Sequence, residues 1–173
     1  MSKAFTKDDA WEEPVIPARA PLPSGVPNYV TPRGLALLRA ELDELESERQ
    51  RLQQDRADDT ERRRGLAIVS KRLSELVARI GSAEVVRAIG HAQDTVRFGA
   101  IVTVRTVSGE RAGEERRLEI VGVDEADASQ GRVAFVSPIA RALLGCEVGE
   151  TASLHTPRGD ALLEVIAIEY AAE

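Results

Sequence analysis

A chain of 173 residues with a net charge of −6 has room for one ordinary domain or two small ones, and it is too acidic for a generic nucleic-acid binder, which needs a basic face to neutralise phosphates. Charged residues make up 30 % of it and aromatics only 3 %, so any core has to be aliphatic. One cysteine, Cys146, leaves no internal disulfide and no cysteine-based zinc site, which fits a reducing cytoplasm; no apolar run is long enough to span a bilayer, and the N-terminus lacks a signal-peptide core.

Residues 1–30 carry Pro14, Pro17, Pro21, Pro23 and Pro27. Prolines at that density withhold backbone donors and favour an extended, solvated chain, so the segment reads as a flexible extension. Phe5 and Trp11 stand in it among charged residues, either as idle aromatics or as the anchor of a short docking motif. From 31 to 81 the pattern changes. Leu35, Leu38, Leu42, Leu45 and Leu52 on one limb, where Arg49 interrupts the series, and Leu66, Val69, Leu73, Leu76 and Ile80 on the other, recur at alternating intervals of three and four. That is the seam of a coiled coil, and the polar break between the limbs makes it an antiparallel hairpin. Thr31 and Pro32 mark its start. Asp58 and Glu61 have capping-box spacing at the second helix, and Gly81 suits a left-handed stop. Each limb is expected to run roughly 20–25 residues, or about 30–38 Å.

Residues 82–93 form a connector whose run VVRAI reads as a first short strand. From 94 to 173 the pattern is β. Strands are expected around 100–107 and 116–123, then in RVAFVS, ASLHT and ALLEVIAIEY, with one short helix, PIARALLG, opened by Pro138 and stopped by Gly145. The whole is an α+β protein: a helical hairpin followed by a small antiparallel sheet packed on a helix.

Catalytic signatures are sparse. There is no phosphate-binding glycine loop, nucleophile elbow or metal-spaced His/Cys cluster, and His91 and His155 lie far apart, His155 within a strand pattern. The hairpin tip gathers Asp55, Asp58, Asp59 and Glu61. Carboxylates there can serve helix capping and solubility, or they can be oxygen donors to a Mg²⁺ shared with a second macromolecule. Arg62, Arg63 and Arg64 follow at once and can neutralise them.

Several stretches resemble the Gre family of bacterial transcription factors. VTPRGLALLRAELDEL resembles the family's opening helix, with its T-x-x-G, then L, then E-L; RFGAIVTV resembles the entry to its C-terminal domain; IVGVDEAD and VSPIARALLGCEVGE are similar to its signature there; HTPRGDALLEVIAIEY resembles its last strands. The similarity covers roughly residues 29–173 and implies a coiled-coil hairpin plus an FKBP-like domain. It also implies a partner, RNA polymerase, with the globular domain docked at the rim of the secondary channel and the hairpin inside it. Nucleic acid would be met only indirectly, in the elongation complex, and the factor would act as a monomer in the cytoplasm, with no membrane partner. The resemblance further implies that docking uses Asp124, Glu125 and Asp127 together with Ser137, Pro138, Ile139 and Arg141. In cleavage factors of the family, tip carboxylates help hold a second Mg²⁺ that activates water against backtracked RNA.

The tip departs from that pattern. Cleavage factors carry a tip resembling G-D-x-x-E-N-A-E-Y; here the region reads DRADDTERRRG, and the hairpin is shorter by roughly a dozen residues, or about 9 Å of reach. The expectation is therefore an accessory factor with no catalytic residues or cofactor of its own, and with weak or no stimulation of cleavage. The alternatives are a cleavage-competent factor that uses the tip aspartates for Mg²⁺, and an FKBP-like peptidyl-prolyl isomerase. The second suffers from having only Phe98, Phe135 and Tyr170 as aromatics in residues 94–173.

Overall fold

Thr31 starts the first long helix as its spacing predicts. Its hydroxyl accepts a hydrogen bond from the Gly34 amide at 2.9 Å, and Pro32 takes the first helical position, where a missing N–H costs nothing. The structure, a computed structural model, describes residues 19–55, 59–87, 94–109 and 111–171. Helix α1 spans Pro32–Gln54 and α2 spans Asp59–Gly81, 23 residues each, or about 34 Å at 1.5 Å per residue. Leu38, Leu45, Val69, Leu73 and Leu76 are buried along the seam, with Leu35, Leu42, Leu52 and Ile80 packed beside them. Near the tip the helices come close: a Cβ added at Gly65 would lie 3.1 Å from Leu52 Cδ2. Asp58, expected to cap α2, lies outside the described residues, as do Phe5, Trp11 and His91.

Two expectations at the hairpin base need correction. Gly81 is not a left-handed stop; it is the last residue of α2, and the chain passes through Ser82 straight into a strand. Nor are residues 19–30 a free extension. Asn28–Val30 form strand β1, which pairs in parallel with β2, Ala83–Val85. Past Pro27 the backbone regains its donors and acceptors, and Val30 accepts from the Val86 amide at 2.9 Å. Asn28 is buried, and its side-chain amide donates to the Arg79 carbonyl at 2.8 Å and to Ser82 Oγ at 3.0 Å. The strand that VVRAI suggested therefore sits slightly earlier, and it belongs to the hairpin base rather than to the second unit.

That second unit is a five-stranded sheet in the order β5-β4-β3-β7-β6, built from β3 (Ala100–Ser108), β4 (Glu115–Val121), β5 (Arg132–Ala134), β6 (Thr151–Thr156) and β7 (Gly159–Tyr170). Alternation decides its inner face: Ala100, Val102, Val104 and Thr106 of β3 are buried, while the residues between them are less so. Helix α3, Pro138–Leu143, lays Ala140 and Leu143 into that face, both 0 % exposed. The sheet is mixed rather than antiparallel, because β4 and β5 run in parallel. Two single-turn 3-10 helices, Val123–Glu125 and Ala128–Gln130, carry the chain back before β5 begins, so the connection is not a hairpin. Strand β5 is also shorter than RVAFVS, since a turn from the Ala134 carbonyl to the Ser137 amide (2.8 Å) ends it ahead of α3.

Candidate functional site

The acids Asp124 and Glu125 lie where the hairpin meets the sheet, not on an open face. Glu125 is 5 % exposed. One of its carboxylate oxygens accepts from Thr31 Oγ1 at 2.6 Å and the other from Arg33 Nε at 2.6 Å. Arg33 also reaches Glu119 on β4, at 2.9 and 3.0 Å. The Thr31 hydroxyl thus works twice, accepting from the helix and donating to the sheet domain. Gly34 is what lets the carboxylate in, since a Cβ there would meet Glu125 Oε2 at 2.7 Å. Gly122 plays the same part on the other side: a Cβ would meet the Tyr29 carbonyl oxygen at 2.6 Å.

Asp124 is gripped by two arginines. Arg19 Nη1 donates to it at 2.7 Å, and Arg79 Nη1 lies 3.2 Å from its other oxygen, an ion pair without hydrogen-bond alignment. Arg19 also binds the Glu41 carboxylate on α1, and its backbone amide donates to Glu75 on α2 at 3.3 Å. One arginine from the proline-rich extension so ties both hairpin helices to the sheet domain. Burial opposes its charge, but hydrogen bonds to Glu41 and Asp124 outweigh that and raise its pKa. For Arg33 the hydrogen bond to Glu119 is the leading cause of a raised pKa, helped by Glu125. Beside these pairs Tyr29, Phe98 and Phe135 pack on one another, with centroids 5.5–5.8 Å apart. Two of the aromatics that a prolyl pocket would have needed are thereby committed to the joint.

The remaining predicted docking residues divide by exposure. Asp127 caps the second 3-10 turn, accepting from the Ser129 amide (3.0 Å) and hydroxyl (2.6 Å), and it pairs with Arg132 at 3.1 Å. The Ser129 hydroxyl first, with Arg132 assisting, holds its pKa below the usual carboxylate range. Ser137 caps α3 by accepting from the Ala140 amide at 3.3 Å, and Ile139 packs against the core. Pro138 and Arg141 stand exposed. What the loop offers a partner is therefore Pro138, Arg141 and the outer side of Asp127, while Asp124 and Glu125 are occupied within the fold.

At the tip, Asp55 caps the end of α1 through its amide to the Arg51 carbonyl at 3.0 Å. Asp59 and Glu61 are exposed in the first turn of α2, where the helix dipole favours acids. Arg62 closes over Asp59: Nη2 donates to Asp59 Oδ1 at 2.5 Å, and Nη1 to the Asp55 carbonyl at 3.4 Å. Asp58, the fourth acid, is outside the described residues. Among the described residues, no group of three or more His, Cys, Asp or Glu side chains could hold a metal ion, and no helix is long and apolar enough to cross a membrane.

Reading the sequence missed Arg19, Arg79 and the aromatic trio as parts of this joint. The available signal was that the two stretches carrying the resemblance, around Thr31–Gly34 and Gly122–Asp127, are the two that meet in space.

The family model described as "Transcription elongation factor, GreA/GreB, C-term" matches residues 91–170. Transcription elongation factor GreA of Francisella tularensis subsp. novicida is 35 % identical over 155 residues, covering 82 % of this chain and 95 % of that protein. The GreA of Hyphomonas neptunium is 40 % identical over 104 residues, covering 60 % of this chain and 64 % of its own length. Among solved structures, GreA factor homolog 1 (Gfh1) of Thermus thermophilus is 22 % identical, covering 83 % of this chain and 99 % of that one with a TM-score of 0.38.

Proposed function

Since this chain belongs to the GreA/GreB family of transcription elongation factors, we propose that it binds RNA polymerase at the secondary channel and regulates elongation by occupying that channel rather than by provoking transcript cleavage. The sheet domain docks at the channel rim through the surface around Pro138, Arg141 and Asp127. The hairpin, held at a defined angle by the joint, enters the channel as a single copy. It meets nucleic acid only within the elongation complex. The polymerase remains the enzyme, and this chain is the accessory.

The observation that carries the reading is the guanidinium of Arg62 lying across the Asp59 carboxylate and the Asp55 carbonyl. Donating to Mg²⁺ needs carboxylate oxygens with free lone pairs in a nearly ideal arrangement. A neighbouring cation both neutralises such oxygens and competes for them. The tip chemistry therefore favours a plug. The test is a stalled elongation complex supplied with nucleotides, with and without this protein, and then with a cleavage-competent factor as competitor. Slower nucleotide addition, together with displacement of the competitor, supports channel occupancy; no effect on either rules it out.

A further inference from the structure

The inner face of the sheet is not filled along its whole length. At the joint end, near Ala100 and Tyr170, α3 covers it; toward the far end, where β3 and β6 reach their turns, the face opens into a cavity of about 270 Å³. Arg111, Arg116 and Arg158 line it, with Asp160 as the carboxylate among them. The Asp160 carboxylate is turned to His155, whose Nδ1 lies 2.6 Å away. Arg111 is already paired with Glu114 at 3.7 Å, so the half-buried Arg116 is the guanidinium that the cavity itself offers a ligand.

A second observation points to an occupant. Thr106 sits on the inward side of β3, 3 % exposed, and lines the cavity, yet its buried hydroxyl has no hydrogen-bond partner. The buried Nε of Arg116, on the neighbouring strand, is likewise unpartnered. Buried hydroxyls and guanidinium N–H groups are nearly always paired, so two unpaired ones facing one cavity call for a polar atom between them. Leu154 and Leu163 supply an apolar wall on the same cavity. The size falls at the small edge of the roughly 300–1,000 Å³ typical of ligand pockets, which suits a compact molecule.

We propose that this cavity binds a small oxyanion-bearing ligand, its phosphate or carboxylate held by Arg116 and hydrogen-bonded by Thr106. Guanidinium forks match both oxyanions in geometry, and the half-buried Arg116 gains most from being neutralised. The cavity is at the opposite end of the sheet from the hairpin joint, so the proposal stands apart from the polymerase reading.

The test uses the full chain, with backbone amide resonances followed by NMR during titration with inorganic pyrophosphate in one arm and succinate in the other. Saturable shifts at Thr106, Arg116 and Ala161, with a Kd of about 1 mM or tighter, are expected in at least one arm, and the responding arm identifies the oxyanion. Arg116→Met should weaken binding by about tenfold or more. Thr106→Val should weaken it too while leaving the melting temperature unchanged or raised, because it removes an unpaired hydroxyl without changing shape. Silence in both arms would overturn the proposal. So would equal affinity in the two variants and the wild type, which would reduce the effect to diffuse attraction.

Discussion

The two ends of the hairpin are built from the same residue types to opposite purposes. At the base, Arg19, Arg33 and Arg79 meet Glu41, Asp124 and Glu125 within a part-buried layer, flanked by packed aromatics and by two glycines whose missing Cβ atoms let the partners close. At the tip, Arg62 meets Asp59 in open solvent, with the Asp59 side chain 65 % exposed. A charge pair withdrawn from water is costly to break because the survivor is left unpaired, whereas a solvated pair contributes little. The base is therefore a structural fixture, whereas the tip pair contributes little to stability.

That contrast sets an order of effects. The seam comes first, since it holds both ends. Leu76 is 0 % exposed, and Leu76→Ala should cost about 2–5 kcal/mol, read from a denaturant melt. A melt unchanged by it would remove the hairpin core. At the base, Glu125→Gln should cost about 1–3 kcal/mol, because it weakens two charge-assisted hydrogen bonds to a buried group. Gly122→Ala should cost about 1–3 kcal/mol by forcing β1 off the sheet domain, and it should broaden the distribution of hairpin-to-sheet distances in spin-label measurements. At the tip, Asp59→Asn should move stability by less than about 0.5 kcal/mol. If the tip and base variants cost the same, the contrast fails.

The smallest expected effect is one of pH. Asp127 has a folded-state pKa below its ordinary value, so the stability it contributes is present above that ordinary value and is lost as pH falls through the depressed one. Amide protection factors in the turn at 127–132 should fall only in that acid window, and Asp127→Asn should remove that fall. Cys146 offers a companion check at the other extreme. Burial first, and then the charge of Glu150, raise its thiol pKa, so alkylation near neutral pH should be slower than for a free thiol.

How much of this was legible in the sequence follows from the range of the interactions. The seam could be read because intervals of three and four are local, and so could the capping by Thr31 and Ser137, which reach only three residues along the chain. The inward face of β3 followed from simple alternation. The joint could not be read in this way. Arg19 and Asp124 are 105 residues apart, and no periodicity marks either. The family resemblance implied docking for the acids of IVGVDEAD, but nothing in the sequence showed that Arg19 from the extension and Arg79 from α2 hold Asp124. Strand β1 was hidden by its length of three residues and by the prolines before it. The parallel pairing of β5 depended on two 3-10 turns that hydrophobic pattern does not encode.

The most direct measurement is made on a backtracked elongation complex with Mg²⁺, comparing this protein with its Asp58→Asn/Asp59→Asn variant and with Arg62→Ala. If the tip is a plug, the wild type and the double variant both leave the transcript uncut while slowing nucleotide addition, and Arg62→Ala, which uncovers Asp59, gains cleavage that the wild type lacks. Strong cleavage by the wild type that disappears in the double variant would contradict the account and make the tip aspartates metal donors.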